Sequence, residues 1–269
     1  MHRIALGLEY LGADFNGFQR QKSTDNTVQT QLEKALSNMA GEPVTTVCAG
    51  RTDAGVHATD QVLHFDTLAV RPMVAWVRGV NAQLPDELRV HWAKEVGSDF
   101  HARFSAGGRT YRYVAQHGGV KPAVLAKQIS HFIYDLDVDA MAMASKCLLG
   151  KHDFSSFQAS RCQARNPVRT ISKLNWYRQG DLWVMEIKAD AFLYNMVRNI
   201  VGTLVEVGRG VQSIEWMADV LEAKNRCLAG TKAPPYGLYL VDVEYDERFA
   251  LPKRDTGPAF LALSADNRV

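Results

Sequence analysis

Along the first hundred residues the apolar positions change period several times. Ile4, Leu6, Leu8 and Tyr10 alternate with smaller or polar residues, the period of a half-buried strand. Val28, Leu32, Ala35, Leu36 and Met39 recur at helical spacing, with Asp25, Asn26 and Thr27 just upstream as candidate caps. Val44 to Ala49 and Gln61 to Asp66 read as strands, Pro72 to Asn81 as a helix opened by proline, and Leu88 to Glu95 as a strand. The second half repeats the theme. Strands are predicted over Arg109 to Gln116, Ile171 to Tyr177, Leu182 to Lys188 and Leu238 to Tyr245. Helices are predicted over Val138 to Leu149, Phe192 to Val207 and Ile214 to Ala223, the last with Ser213 as its cap. Two α+β units of similar plan fit this order, although no residue-level repeat is visible. The expected division is an N-terminal domain over residues 1–100, a C-terminal domain over 101–245 and a surface tail over 246–269, whose two prolines and weak periodicity predict a segment that wraps or frays.

A chain of 269 residues, 46% hydrophobic and 22% charged, has enough surface to bury for a real core and excludes disordered or collagen-like classes. No apolar run approaches the roughly 18 residues a membrane helix needs, and the opening MHRIALGLEY is too short for a signal-peptide core. Cys48, Cys147, Cys162 and Cys227 form no C-x-x-C pair, and the eight histidines include no H-E-x-x-H. The cysteines therefore read as reduced thiols in a cytosolic protein, and no metal site is expected.

Charge adds a location. Residues 1–100 carry 9 Lys and Arg against 12 Asp and Glu, residues 101–173 carry 11 against 4, and residues 174–269 carry 11 against 13. In the middle stretch Arg103, Arg109, Arg112, Arg161, Arg165 and Arg169 are interleaved with Phe104, Tyr111, Tyr113, Phe154 and Phe157. Guanidinium groups bind phosphates and aromatic faces stack on bases, so a polyanion, most naturally nucleic acid, is the leading partner.

The densest chemical signal is the run Ala49-Gly50-Arg51-Thr52-Asp53-Ala54-Gly55-Val56-His57-Ala58 between two strand-like segments. Gly50 and Gly55 allow a tight backbone and close approach of a ligand, which offers Asp53 at a loop tip beside Arg51. A plain turn capped by Asp53 is the competing reading. Arg198 sits in a helix that is apolar on nearly every side, with Tyr194, Val201 and Gly202 as its helical neighbours. A buried guanidinium needs a partner, and no acid lies between Asp190 and Glu206, so a distant carboxylate such as Asp53 is a candidate. Snorkelling to solvent, or pairing with Asp190 or Glu206, is the alternative.

Taken together, several segments resemble the tRNA pseudouridine(38–40) synthase family in order and spacing. They are Gly17 to Gln21, Ala49 to Ala58, Phe100 to Ala106, Arg109 to Tyr113, Met196 to Gly202, Gly237 to Leu240 and Gly257 to Leu261. The resemblance spans nearly the whole chain. It implies an α+β pseudouridine synthase fold of two ferredoxin-like, RRM-like units with a central, mainly antiparallel sheet. It also implies isomerisation of uridine at positions 38, 39 and 40 of the anticodon stem and loop of tRNA, by a cytoplasmic homodimer without cofactor or metal, and with the target base flipped out of its stack. By the same resemblance Asp53 is the essential aspartate and nucleophile, Arg198 pairs with it, Tyr111 stacks on the target base, and Leu238 packs against the site. Arg51, Arg71, Phe100, His101, Ala102, Arg103 and Phe104, with Arg161, Cys162, Gln163, Ala164 and Arg165, resemble base-flipping and tRNA-contact elements.

Two departures stand out. Asp60 occupies a place expected to be small, and is expected on an exposed strand edge. Phe15 and Phe18 replace Tyr and Trp, which keeps aromatic character. The rival readings are a non-catalytic tRNA-binding module or chaperone, and an aspartate-dependent nucleosidase that would release free uracil.

Overall fold

The structure is a computed structural model that describes residues 1–160, 162, 164, 166–254 and 257–261. The described residues form two compact units, one drawn from 1–109 and 239–260 and the other from 110–238 with Leu261. This differs from the expected division. The segment 100–109 belongs with the first unit because Arg3 Nη1 donates to the Phe100 carbonyl at 2.9 Å and Ala102 N–H donates to His64 Nδ1 at 3.1 Å. The last strand returns to it by pairing in parallel with an N-terminal strand.

In the first unit β1 (His2–Tyr10), α1 (Val28–Ala40), β2 (Val47–Cys48), β3 (His57–Thr67), α2 (Met73–Asn81) and β4 (Leu88–Val96) follow one another. The sheet runs β4-β1-β3 with β2 beside β3, which is the βαββαβ ferredoxin-like plan. Both β1 pairings are antiparallel, with Leu6 opposite Leu63 and Ala93, and β10 (Leu238–Tyr245) adds its parallel contact at Tyr239 and His57. Thr27 caps α1 by accepting the Thr30 N–H. Val28, Leu32 and Leu36 of α1 and Trp76 and Val80 of α2 are fully buried, and Trp76 meets Phe65 edge to face at 5.1 Å.

The alternation in β1 predicts one buried face, yet Ala5 and Gly7 are buried as well as Ile4, Leu6 and Leu8. The second face is closed by the Trp92 indole over Gly7 and by an aromatic group in which Phe100 packs on Tyr245 and Phe249 at 5.2 and 5.1 Å. The strand expected over Val44 to Ala49 shrinks to β2, because the Thr46 N–H and hydroxyl donate to Glu33 Oε1 and the Val44 N–H to Ser37 Oγ, which ties the segment to α1.

The second unit contains β5 (Ala106–His117, from Thr110 onward), β6 (Ser130–Phe132), α3 (Val138–Ser145), β7 (Gly150–Asp153), β8 (Val168–Gln179), β9 (Leu182–Ala189), α4 (Met196–Gly208) and α5 (Trp216–Ala223). Its strands run β5-β9-β8-β7 with β6 beside β5, and the order β5-α3-β8-β9-α4 is the βαββα part of the same plan. Trp183 stacks on Tyr113 and Phe132, and α4 is buried along almost its whole length.

Three helix boundaries shift from expectation. α3 closes in a 3-10 turn, Lys146–Leu148. α4 starts at Met196 rather than Phe192 because Asn195 takes a left-handed conformation, φ 61°. α5 starts at Trp216, with Glu215 rather than Ser213 at its N-cap and no side chain capping it. The described part of the tail packs on the first unit. Lys94 Nζ donates to the Phe249 and Ala250 carbonyls at 2.9 and 2.6 Å, and Arg254 reaches Glu9 and the Thr59 carbonyl.

Candidate active site

The Ala49 to Ala58 loop is held by backbone and buried side chains at almost every step. The Ala49 N–H donates to the Val62 carbonyl at 2.8 Å, and the Gln61 amide bonds Gly50 in both directions, donating to its carbonyl at 2.6 Å. Thr52 Oγ1 lies 2.8 Å from the Tyr10 hydroxyl, and the Thr52 carbonyl accepts the Phe18 N–H. Beyond Asp53, the Val56 N–H closes a turn onto the Asp53 carbonyl, and Gly55, at φ 79°, donates to the Gly12 carbonyl. Gly12 in turn donates to His57 Nδ1 at 2.9 Å, and the His57 ring stacks on Tyr239 at 4.5 Å. Gly17, at φ 91°, lies under this loop: a Cβ there would stand 3.1 Å from the Thr52 oxygen and the Ala54 nitrogen. Asp53 is half-buried on a backbone that neighbours fix on both sides, which is more than a surface turn requires.

The floor of the loop depends on a residue the sequence pattern did not single out. Glu33 of α1 is 2% exposed, accepts from Gln29 and Thr46, and pairs with Arg20. Arg20 and Gln29 are bonded into the 17–21 segment, whose Phe18 N–H reaches Thr52. Charge at a helical position facing inward was the available signal.

Beside this loop the segment Phe100 to Ser105 forms a tight turn. His101 Nδ1 accepts the N–H groups of Arg103 and Phe104 at 3.2 and 3.1 Å, so this nitrogen carries no proton. The His101 and Phe104 rings stack at 4.3 Å, the Arg103 guanidinium lies 5.5 Å from the Phe104 centroid, and Phe104 is 76% exposed. Phe100 and Ala102, expected to touch substrate, are fully buried and act as anchors for this exposed tip. Arg51 is exposed, and its charge reaches Cys48 together with that of Arg103; burial nevertheless pushes the Cys48 thiol up to about 12. Arg71 is exposed with its guanidinium on the Met39 carbonyl at the end of α1.

His64 secures the turn from below. Burial, the Arg3 guanidinium and the His101 ring push its imidazole down to about 4 from an ordinary 6.5. The unfolded chain then binds a proton between those values that the folded chain does not, so this stabilisation is complete above pH 6.5 and lost as pH falls towards 4. The gap corresponds to about 3 kcal/mol. A His64→Asn chain, whose amide oxygen still accepts the Ala102 N–H, is expected to show a flatter loss of Tm across that window than the parent. Identical slopes in thermal melts would refute the assignment.

Two expected phosphate ligands have other employment. Arg109 is 8% exposed and donates to three backbone carbonyls, and Arg112, also 8% exposed, pairs with Glu186 at 2.7 Å. Alternating aromatic and basic residues on a strand conceal this, because β5 is covered on both faces and every position from Gly108 to Ala115 is buried. Asp60 is a further correction. It is half-buried rather than on an exposed edge, with Oδ1 sealed from solvent without a hydrogen-bond partner, because the tail crosses Thr59. Burial, with Asp242, pushes its carboxyl up to about 6 against the opposing charges of Arg254 and His91.

In the second unit Tyr111 is buried on β5 and meets Phe192 edge to face at 5.0 Å. Arg198 is 7% exposed in the first turn of α4, as its apolar setting predicts. Its Nε donates to the Ala233 carbonyl at 2.9 Å and its Nη1 to Asn195 Oδ1 at 3.2 Å. The Ala233 N–H returns a bond to the Arg198 carbonyl, which fastens the 229–238 segment to the helix. Leu238 is buried at the end of that segment. Cys162 Sγ accepts the Tyr194 N–H at 3.4 Å; burial pushes its thiol up, but the N–H groups of Tyr194 and Ala164 outweigh this and leave it below the ordinary range. Ala164 is half-buried. Arg161, Gln163 and Arg165 lie outside the described residues. Among the described residues no group of three His, Cys, Asp or Glu side chains is placed to hold a metal ion, and no helix is long and apolar enough to cross a membrane.

A family model described as tRNA pseudouridine synthase matches residues 8–105 and 144–246. A Shewanella amazonensis protein named tRNA pseudouridine synthase A is 54% identical over 259 residues, 96% of this chain and 99% of its own. A protein of the same name from Shigella boydii is 52% identical over 262 residues, 97% of each chain. Among solved structures, a chain of a Cbf5-Nop10-Gar1 complex covers 88% of this chain and 48% of its own, at 13% identity and a TM-score of 0.37. From the family match and the full-length relatives, this chain belongs to the tRNA pseudouridine synthase family.

Proposed function

We propose that this protein isomerises uridine to pseudouridine at positions 38, 39 and 40 in the anticodon stem and loop of tRNA, working in the cytoplasm as a homodimer. The observation that carries the reading is Asp53 held half-buried on a loop pinned by Gly12, Phe18, Tyr10 and Gln61, in a chain about half identical to synthases of that name. The N1 to C1′ bond breaks, C5 joins C1′, the C5 proton leaves to solvent and N1 gains one. Atoms balance without a redox partner or a second substrate. Asp53 acts at the sugar as the nucleophile, which requires an ionised carboxylate. Arg198 is assigned as the cation that favours that form, Tyr111 as the ring under the target base, and Leu238 as apolar packing for it.

A paired or stacked uridine cannot meet Asp53, so the nucleotide is flipped at a cost of about a few kcal/mol. Phe104, largely exposed and stacked on the His101 ring, supplies an aromatic surface of the kind this step needs, with the Arg103 guanidinium beside it. Arg51 and Arg71, with the basic stretch around 161–165, are assigned to phosphates. Contacts of this kind read shape more than sequence, so affinity for tRNA is expected to fall more than about tenfold between about 50 and 200 mM salt. Equal affinity at both, measured by filter binding, would count against the assignment. The deciding experiment is tritium release from transcripts carrying C5-tritiated uridine, followed by mapping of the modified position. Release with unchanged RNA mass supports isomerisation. Loss of uracil would indicate a nucleosidase, and tight binding without release would indicate a non-catalytic tRNA-binding protein.

A further inference from the structure

We infer that Arg109 is a positioning residue that sets the Asp53 loop against the aromatic turn; the inference rests on the isomerase reading. The residue is 8% exposed, and its guanidinium bridges three carbonyls of the first unit. Nη2 donates to the Ala49 oxygen at 2.9 Å and to the Arg103 oxygen at 2.7 Å, and Nη1 donates to the Ala106 oxygen at 3.2 Å. Ala49 is the entry to the loop that carries Asp53, and Arg103 lies in the turn whose tip is Phe104. One planar group therefore spans the backbone of two elements that the proposed chemistry must hold in register, the carboxylate and the stacking face.

Other contacts hold each element separately. The Ala49 N–H reaches Val62, while the turn is fixed by Ala102 on His64 and by the Tyr245 hydroxyl on the Ala102 carbonyl at 2.6 Å. Arg109 joins one to the other. A buried cation on carbonyl oxygens is a charge-assisted arrangement, and only a guanidinium offers donors in several fixed directions from one plane. A lysine ammonium on a different stem cannot reach all three oxygens with the same geometry. Loss of the bridge lets the two elements move independently by fractions of an ångström to an ångström, a displacement that costs about 100-fold in a reaction needing fixed geometry.

The test is Arg109→Lys beside the parent, read in two ways. Amide hydrogen exchange is followed in peptides covering 49–58 and 100–106, and single-turnover tritium release is measured with saturating tRNA. The expected result is faster exchange in both segments together, a fall of about 100-fold in the chemical step, and tRNA affinity within about threefold of the parent. An Arg109→Ala chain partly restored by added guanidinium ion, in exchange as well as in rate, would strengthen the result. Unchanged exchange in either segment would overturn the proposal, whatever the rate. So would faster exchange with the parent's single-turnover rate, or a rate loss matched by the fraction of unfolded protein in thermal melts. A parent that releases no tritium, while Arg109→Lys still loosens both segments, would overturn the isomerase reading and leave the bridge standing as a structural tie.

Discussion

Replacing Asp53 by Asn is expected to remove tritium release from C5-tritiated tRNA by at least about 10⁴-fold, with Tm and tRNA affinity close to those of the parent. The size follows from the chemistry assigned to this side chain. An amide is isosteric with the carboxylate but has no negative charge, and it is a poor nucleophile and a poor base. Either route at the ribose, covalent attack or removal of a sugar proton, loses its reacting group. The structural side of the expectation is equally specific. The loop is held by backbone groups of Ala49, Gly50, Thr52, Gly55 and Val56 and by the side chains of Thr52 and Gln61, so the exchange of one oxygen for nitrogen at position 53 leaves that lattice intact. Release above about one hundredth of the parent rate would remove Asp53 from the chemistry. Collapse of Tm would instead make it a structural residue.

Much of this arrangement is readable before any coordinates. The alternation in β1, the 3.6 period of α1 and the proline opening α2 each name their element, although β1 is buried on both faces where its pattern predicts one. Val44 to Ala49 fails for a physical reason: its apolar residues have strand propensity, but its N–H groups are claimed by Glu33 and Ser37. The helix carrying Arg198 is read as starting four residues too early, since a left-handed Asn195 precedes its first turn and nothing in the apolar run announces that conformation.

The site divides in the same way. The Gly-rich loop and the buried Arg198 are legible because small residues and an arginine in an apolar helix are exceptions to the surrounding pattern. Arg109, His64 and the anchoring roles of Phe100 and Ala102 are not. Each acts through backbone carbonyls or N–H groups brought near by folding, and such partners leave no mark on residue type. The basic stretch shows the cost of reading charge without orientation, because Arg109 and Arg112 are buried and serve the protein itself.

Arg112 is the sharper of those two cases, since its two readings predict different losses. A phosphate ligand removed as Arg112→Ala would weaken tRNA binding evenly and reduce the salt slope by about one, with little change in Tm. The structure assigns it elsewhere. Its Nε and Nη2 both reach Glu186 Oε2, at 2.8 and 2.7 Å, while Lys173 takes Oε1 at 2.7 Å and the Tyr177 hydroxyl donates to it at 3.3 Å. Glu186 is 3% exposed. Burial alone would push its carboxyl up, but Lys173 and Arg112 together hold it below the ordinary range. Removing Arg112 takes both partners from Oε2 of a buried carboxylate and leaves it to Lys173 and Tyr177 on Oε1, which costs about 1.5 to 3 kcal/mol, a sizeable share of a typical domain's stability. The expected result is a steep fall in Tm and in denaturant midpoint for Arg112→Ala, with an unchanged salt slope for whatever fraction remains folded. Acid offers an independent check. Because the folded carboxyl titrates below the unfolded one, its stabilisation is present above the ordinary glutamate pKa and disappears as pH falls through the folded value. The stability gap between parent and Arg112→Ala is thus expected to narrow in acid, where the Glu186 carboxyl of the variant is neutral. A gap that stays constant from neutral to acid pH, or a variant with parental Tm and a shallower salt slope, would return Arg112 to the RNA-binding surface.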